Sequence, residues 1–138
     1  MLIALFTALT ITILGANHMS NSENSKFVLL VEDDSITQQA LARLFQSRGV
    51  ECRIVDTLAE AMKYLAQVDQ IRLIVWDGDL FGENSFDDAI QAFKKVFDGP
   101  MVAASGNKQS VDKQMEAGCT HRGLKGREQL TVLKQLLL

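Results

Sequence analysis

Carboxylates, one hydroxyl and one lysine recur along the chain in an order that suits phosphoryl chemistry. Glu32, Asp33 and Asp34 form one run, followed by Asp77 and Asp79, then Ser105, then Lys125. Carboxylates brought to one place repel one another unless a cation lies among them. Hard oxygen donors of this kind suit Mg²⁺, which keeps several waters and takes one or two carboxylates plus a phosphoryl oxygen. A lysine and a hydroxyl opposite them would meet the phosphoryl oxygens, and phosphoryl transfer depends mainly on positioning and on neutralising charge. A carboxylate can itself be the nucleophile and form an aspartyl phosphate. Asp77 is the best placed for that, since it ends the most apolar run and has acceptors for a metal beside it. Taken singly, the acids read as a solvated strand end, Ser105 as a turn residue and Lys125 as a surface charge. The weight lies in their joint appearance.

The elements that must position these groups are legible from periodicity. Short apolar runs at Phe27–Val31, Cys52–Val55, Ile71–Trp76 and Met101–Ala104, with a weaker one at His121–Leu124, suit strands buried on both faces. Helical patterns lie between them. Ser35 is expected to cap a helix with Ile36, Ala40, Leu41, Leu44 and Phe45 on one stripe, stopped by Gly49. Thr57 and Glu60 form a capping box ahead of Ala61, Met62 and Leu65. Ser85 precedes Phe86, Ile90, Phe93 and Phe97, a pattern closed by Gly99-Pro100. Ser110 is expected to open a short helix ending at Gly118, and the last helix runs from Arg127 to Leu137. Such regular alternation predicts an α/β domain, with a five-stranded parallel sheet covered by helices on both faces. In open sheets of this kind ligands bind beyond the carboxyl ends of the strands. Every group in the opening list follows a predicted strand.

The 138 residues suit one domain, and 47% hydrophobic composition is enough for a core without staples. A formal charge of −3 argues against nucleic-acid binding, which wants a basic face. The two cysteines, Cys52 and Cys119, are far apart and outside any C-x-x-C pattern, so they read as small core residues in a reducing, cytoplasmic setting. Leu2–Leu14 is apolar and uncharged, shorter than the ~20 residues of a membrane span. It also lacks the basic n-region and the cleavage site of a signal peptide. Residues 1–25 are therefore expected to be a lead outside the fold, with the domain at 26–138 and Met19 a candidate natural start. Membrane contact would follow only if residues 2–14 were an anchor.

Leu29-Leu30-Val31-Glu32-Asp33-Asp34, Asp77, Ser105-Gly106, Ala117-Gly118-Cys119 and Lys125 together resemble the receiver domain of bacterial two-component signalling, over about Lys26 to Leu138. The resemblance implies a stand-alone, flavodoxin-like doubly wound fold with strand order 2-1-3-4-5 and five flanking helices. It implies that Glu32 and Asp33 hold Mg²⁺, Glu32 through water, that Asp77 is both metal ligand and phosphoacceptor, and that Asp79 ligates through its main-chain carbonyl. Ser105 and Lys125 would each meet a phosphoryl oxygen. The donor would be a histidine kinase or histidine phosphotransfer protein, docking near Gln38 and Gln39. Output to a downstream target would run through the face around Arg122, and a homodimer through the last strand and helix is compatible with it. The activity implied is self-catalysed phosphoryl transfer and slow aspartyl-phosphate hydrolysis in a two-component system or phosphorelay, rather than conventional enzymology.

The chain departs from that pattern at several places. Phe81 replaces a usual proline, Ser85 a common glycine, and Gly126 the proline after the lysine, so a cis Lys-Pro bond is not available. Arg122 stands where receivers often carry Tyr or Phe, and a guanidinium does not bury as a ring does without a partner. These changes bear on switching more than on the phosphorylation site. A phosphorylation-independent binding module is the main alternative, although no acid and no lysine of the set is missing. Asp77-Gly78-Asp79 also resembles the D-x-D of haloacid dehalogenase-like phosphatases, but two strands precede it here and no further acid pair follows. His121 reads as a partly exposed strand residue and Trp76, the only tryptophan, as a packing residue.

Overall fold

The computed structural model describes residues 25–77 and 86–138. Asp79, Phe81, Ser85 and the apolar lead Leu2–Leu14 lie outside the described residues. The order is β1 (Phe27–Val31), α1 (Ser35–Ser47), β2 (Cys52–Val55), α2 (Leu58–Met62) continued by a 3-10 segment (Lys63–Gln70), β3 (Ile71–Trp76), α3 (Phe86–Lys94), β4 (Met101–Ala103), α4 (Lys108–Ala117), β5 (His121–Arg122) and α5 (Arg127–Leu136). All pairings are parallel and the strand order is β2-β1-β3-β4-β5. The α/β doubly wound reading, with order 2-1-3-4-5 and five helices, is what the described residues show.

Alternate strand residues feed two cores, because successive side chains point to opposite faces of a sheet. Val28, Leu30, Leu73, Val75 and Val102 pack with Leu41 and Phe45 of α1 and Leu133 of α5. Leu29, Val31, Ile74, Trp76 and Ala103 pack on the other face with Ala61 of α2, Ile90 and Phe93 of α3 and Val111 of α4. Only the inner strands are buried on both faces. β2 and β5 are edges, and Ile54 and Arg122 reach solvent, so burial on both faces does not extend to them.

Three helix details correct the sequence reading. Asp34, not Ser35, caps α1: its Oδ2 accepts the Thr37 amide at 2.8 Å and the Thr37 hydroxyl at 2.7 Å. The carboxylate wins the position because its charge also suits the positive end of the helix. Ile36 and Ala40 are exposed, so the buried stripe of α1 narrows to Leu41 and Phe45, with Leu44 at its margin. Asn107, not Ser110, caps α4, and its Oδ1 accepts the Ser110 amide at 2.8 Å. The Thr57 cap of α2 stands as expected, with its Oγ1 accepting the Glu60 amide at 3.1 Å. Gly49 follows α1 at a φ of 69°, a left-handed conformation that ends a helix and favours glycine.

Both cysteines are free, Cys119 buried and Cys52 half-buried. Burial pushes each thiol up to about 12. At pH 8 the thiolate fraction is then about 10⁻⁴, and the thiolate is the nucleophile. Ellman's reagent is expected to label neither in the native protein and both in urea; prompt native labelling would show that one side chain is exposed.

Candidate functional site

The carboxyl ends of β1, β3 and β4 and the segment after β5 meet at one edge of the sheet. Parallel pairing sets this directly. The Asp77 amide donates to the Val31 carbonyl at 2.9 Å, the Ala104 amide to the Trp76 carbonyl at 2.8 Å, and the Lys125 amide to the Ser105 carbonyl at 2.9 Å. The first two bonds hold each strand to its neighbour one residue beyond the last regular pair, and the third carries the β4–β5 pairing three residues past Arg122, where the polar side chains begin.

Glu32 and Asp77 are each only 1% exposed, and Asp33 is half-buried. One oxygen from each of the three carboxylates lies within 4.8 Å of the others. Lys125 Nζ sits among them, 3.1 Å and 3.2 Å from the two Glu32 oxygens and 3.4 Å from Asp77 Oδ1. Partial burial works against the lysine's charge, but Asp77 and Glu32 outweigh it and hold the ammonium above its ordinary pKa. Glu32 Oε2 also accepts the Asp34 amide at 3.1 Å, and Gln38 Nε2 donates to the Glu32 carbonyl, anchoring α1 to the site. Ser105 is fully buried, and its Oγ accepts the Asn107 amide at 3.2 Å.

Three carboxylates share one ammonium, so the cluster carries excess negative charge in a water-poor place. Such a set fits a hard divalent cation, for which oxygen donors are the natural ligands. Asp77→Asn removes a like charge while Glu32 keeps its lysine. It is expected to raise the unfolding free energy of the cation-free protein by about 1–2 kcal/mol, read by urea unfolding in chelator. A loss of stability would mean that the Asp77–Lys125 attraction outweighs the repulsion.

The sequence-predicted Glu32, Asp33, Asp77, Ser105 and Lys125 come together here. Asp34 does not join them, since it caps α1. Sequence reasoning missed Gln114, which is fully buried in α4 with Nε2 donating to the Trp76 carbonyl at 2.8 Å. Its i, i+3 spacing from Val111 is the signal that places it on the inner face of the helix. It also missed the partner of Arg122. Arg122 Nη2 pairs with Asp112 Oδ1 of α4 at 2.7 Å, and both side chains are about 40% exposed. The guanidinium faces outward, and hydrogen bonds from Arg122, then Lys108, hold the Asp112 carboxyl below its usual range. After Lys125, Gly126 has a φ of 110°, which the proline ring cannot adopt, so the turn into α5 is built for glycine. No cis peptide bond occurs among the described residues.

No family model matches this sequence. No curated protein matches it either. Solved structures do. A response regulator receiver protein from Pseudomonas putida is 24% identical with a TM-score of 0.66, over 81% of this chain and 94% of that one. A response regulator from Thermotoga maritima is 22% identical with a TM-score of 0.66, over 82% and 98%. A response regulator protein from Burkholderia pseudomallei, with a phosphorylated aspartic acid, calcium ion and citrate, is 19% identical with a TM-score of 0.69, over 80% and 66%. Strand order, helix placement and these neighbours agree: the chain has the fold of response-regulator receiver domains.

Proposed function

We propose that the protein is a phosphoacceptor signalling module of a two-component system or phosphorelay, taking its phosphoryl group on Asp77. The observation that carries this reading is the convergence of buried Asp77 and Glu32, half-buried Asp33, buried Ser105 and Lys125 at one sheet edge.

In this reading a carboxylate oxygen of Asp77 forms a P–O bond as the donor's P–N bond breaks. The bonding pair leaves with the imidazole nitrogen of a phosphohistidine, which gains a proton. Lys125 Nζ moves from bridging two carboxylates to facing a phosphoryl oxygen, and the Ser105 hydroxyl, still accepting from Asn107, donates its proton to another. Mg²⁺, held by Glu32, Asp33 and Asp77 with the Asp79 carbonyl as a further proposed ligand, would neutralise charge on the phosphoryl oxygens when bound. Water then cleaves the acyl phosphate, returning the carboxylate and inorganic phosphate. The calcium-bearing neighbour with its phosphorylated aspartate is consistent with this use of the fold.

The donor, a histidine kinase or phosphotransfer protein, would dock on α1 near Gln38 and Gln39, beside an apolar groove of about 210 Å³ between α1 and α5 lined by Ile36, Ala40, Leu41, Leu130 and Lys125. Ile36 is 75% exposed and lies one turn from Gln39 and Ala40. The domain is read as beginning near Lys26, in the cytoplasm, where two free thiols persist. No helix among the described residues is long and apolar enough to cross a membrane.

The function is tested by incubating the protein with acetyl phosphate and Mg²⁺ and treating any product with hydroxylamine. A single hydroxylamine-labile phosphoryl group is expected. A hydroxylamine-stable phosphoester would take the acceptor away from Asp77, and no adduct would instead favour a phosphorylation-independent binding module.

A further inference from the structure

Helix α4 is joined to the site by polar contacts as well as by apolar packing. Its buried residues are Val111, Gln114 and Ala117, with Met115 partly buried against the same core. Gln114 Nε2 donates to the Trp76 carbonyl at 2.8 Å in fully buried surroundings. The same carbonyl takes the Ala104 amide at 2.8 Å, and across the peptide the Asp77 amide donates to Val31 at 2.9 Å. The peptide unit that carries Asp77 is therefore fixed by β1, β4 and α4 together. At the start of the helix, the Asn107 amide donates to Ser105 Oγ at 3.2 Å. On its outer face, Asp112 pairs with Arg122 at 2.7 Å.

An apolar residue at position 114 would satisfy packing with no polar group to desolvate. Among the described residues, the buried Oε1 of Gln114 makes no hydrogen bond, an unfavourable state that a Met or Leu would avoid. What the glutamine gives in exchange is one directional bond, from the middle of α4 to the peptide beside Asp77. Buried bonds of this kind have no water to replace them, so the two partners move together or the bond is lost.

We propose that Gln114 is a positioning residue that couples α4 to Asp77, so that a change of charge at Asp77 alters how α4 is held. The proposal extends, and in its physiological meaning rests on, the reading of Asp77 as phosphoacceptor. The outer pair Asp112–Arg122 ties the same helix to β5.

The test is a double-mutant cycle read by amide hydrogen exchange over Val111–Ala117, in cation-free protein, using Asp77→Asn, Gln114→Met and the double variant. With Gln114 present, Asp77→Asn is expected to change α4 exchange by about threefold or more, and in the Gln114→Met background by much less. A purely structural glutamine would shift exchange by the same factor with either residue at position 77, and that additivity would overturn the proposal. If Gln114→Met does not fold, as judged by far-ultraviolet circular dichroism, Gln114→Leu takes its place in the cycle. Wild-type protein treated with acetyl phosphate and Mg²⁺ separates the two claims. Non-additivity without an adduct sinks the phosphoacceptor reading and leaves the coupling. An adduct with full additivity sinks the coupling alone.

Discussion

Lys125→Met is expected to lower the unfolding free energy of the cation-free protein by about 2–4 kcal/mol at neutral pH. Methionine keeps most of the apolar stem, so the loss is electrostatic. Glu32 and Asp77 are each 1% exposed, and the ammonium is within 3.1 Å of the first and 3.4 Å of the second. Removing it leaves two buried carboxylates facing each other without a counter-charge. The lower part of the range allows for water reaching Lys125, whose side chain is 25% exposed. Because carboxylates raise the lysine's pKa, its contribution is fully present below the ordinary value of 10.5 and is lost only as pH rises past it. Urea unfolding at pH 7 should therefore report the whole effect, and millimolar Mg²⁺ should recover much of it. A change below about 1 kcal/mol would mean that the carboxylates are well hydrated without the lysine.

Trp76→Ala is expected to cost about 3–5 kcal/mol, a large share of the stability of any domain this size. The indole is fully buried, edge-to-face on Phe93 with ring centroids 5.4 Å apart, and its Nε1–H donates to Met101 Sδ at 3.4 Å. Alanine would open a cavity between Phe93 of α3 and Met101 of β4, directly beneath the acidic edge. Trp76→Phe, which keeps an aromatic ring, should cost about 1–2 kcal/mol. Urea unfolding measures both. A loss under about 1 kcal/mol for alanine would show that the surrounding elements close over the gap.

The sheet was legible because its inner strands are continuous apolar runs. Leu29–Val31 and Leu73–Trp76 cannot be solvated on either face, and polar residues begin where the runs stop. The same feature made the candidate site legible: in a parallel sheet the first polar residue after each strand falls on one edge, so Glu32, Asp33, Asp77, Ser105 and Lys125 were brought together by topology. Short-range choices were harder. Asp34 and Ser35 both make good caps, and so do Asn107 and Ser110; the one used is the last residue with extended backbone before the helix begins. Ile36 read as core because a helical stripe has no sign of where the neighbouring helix ends. The Gln114–Trp76 and Asp112–Arg122 contacts join residues with no local pattern between them. Residue types alone carry no trace of such pairs.

The central claim is that Asp77 receives a phosphoryl group. Intact-mass measurement after incubation with acetyl phosphate, with and without Mg²⁺, tests it most directly when Asp77→Asn is run beside the wild type. The account predicts one phosphoryl adduct on the wild-type protein, dependent on Mg²⁺ and absent from Asp77→Asn. An adduct of equal size on Asp77→Asn, or none on the wild type at saturating donor and Mg²⁺, would contradict it.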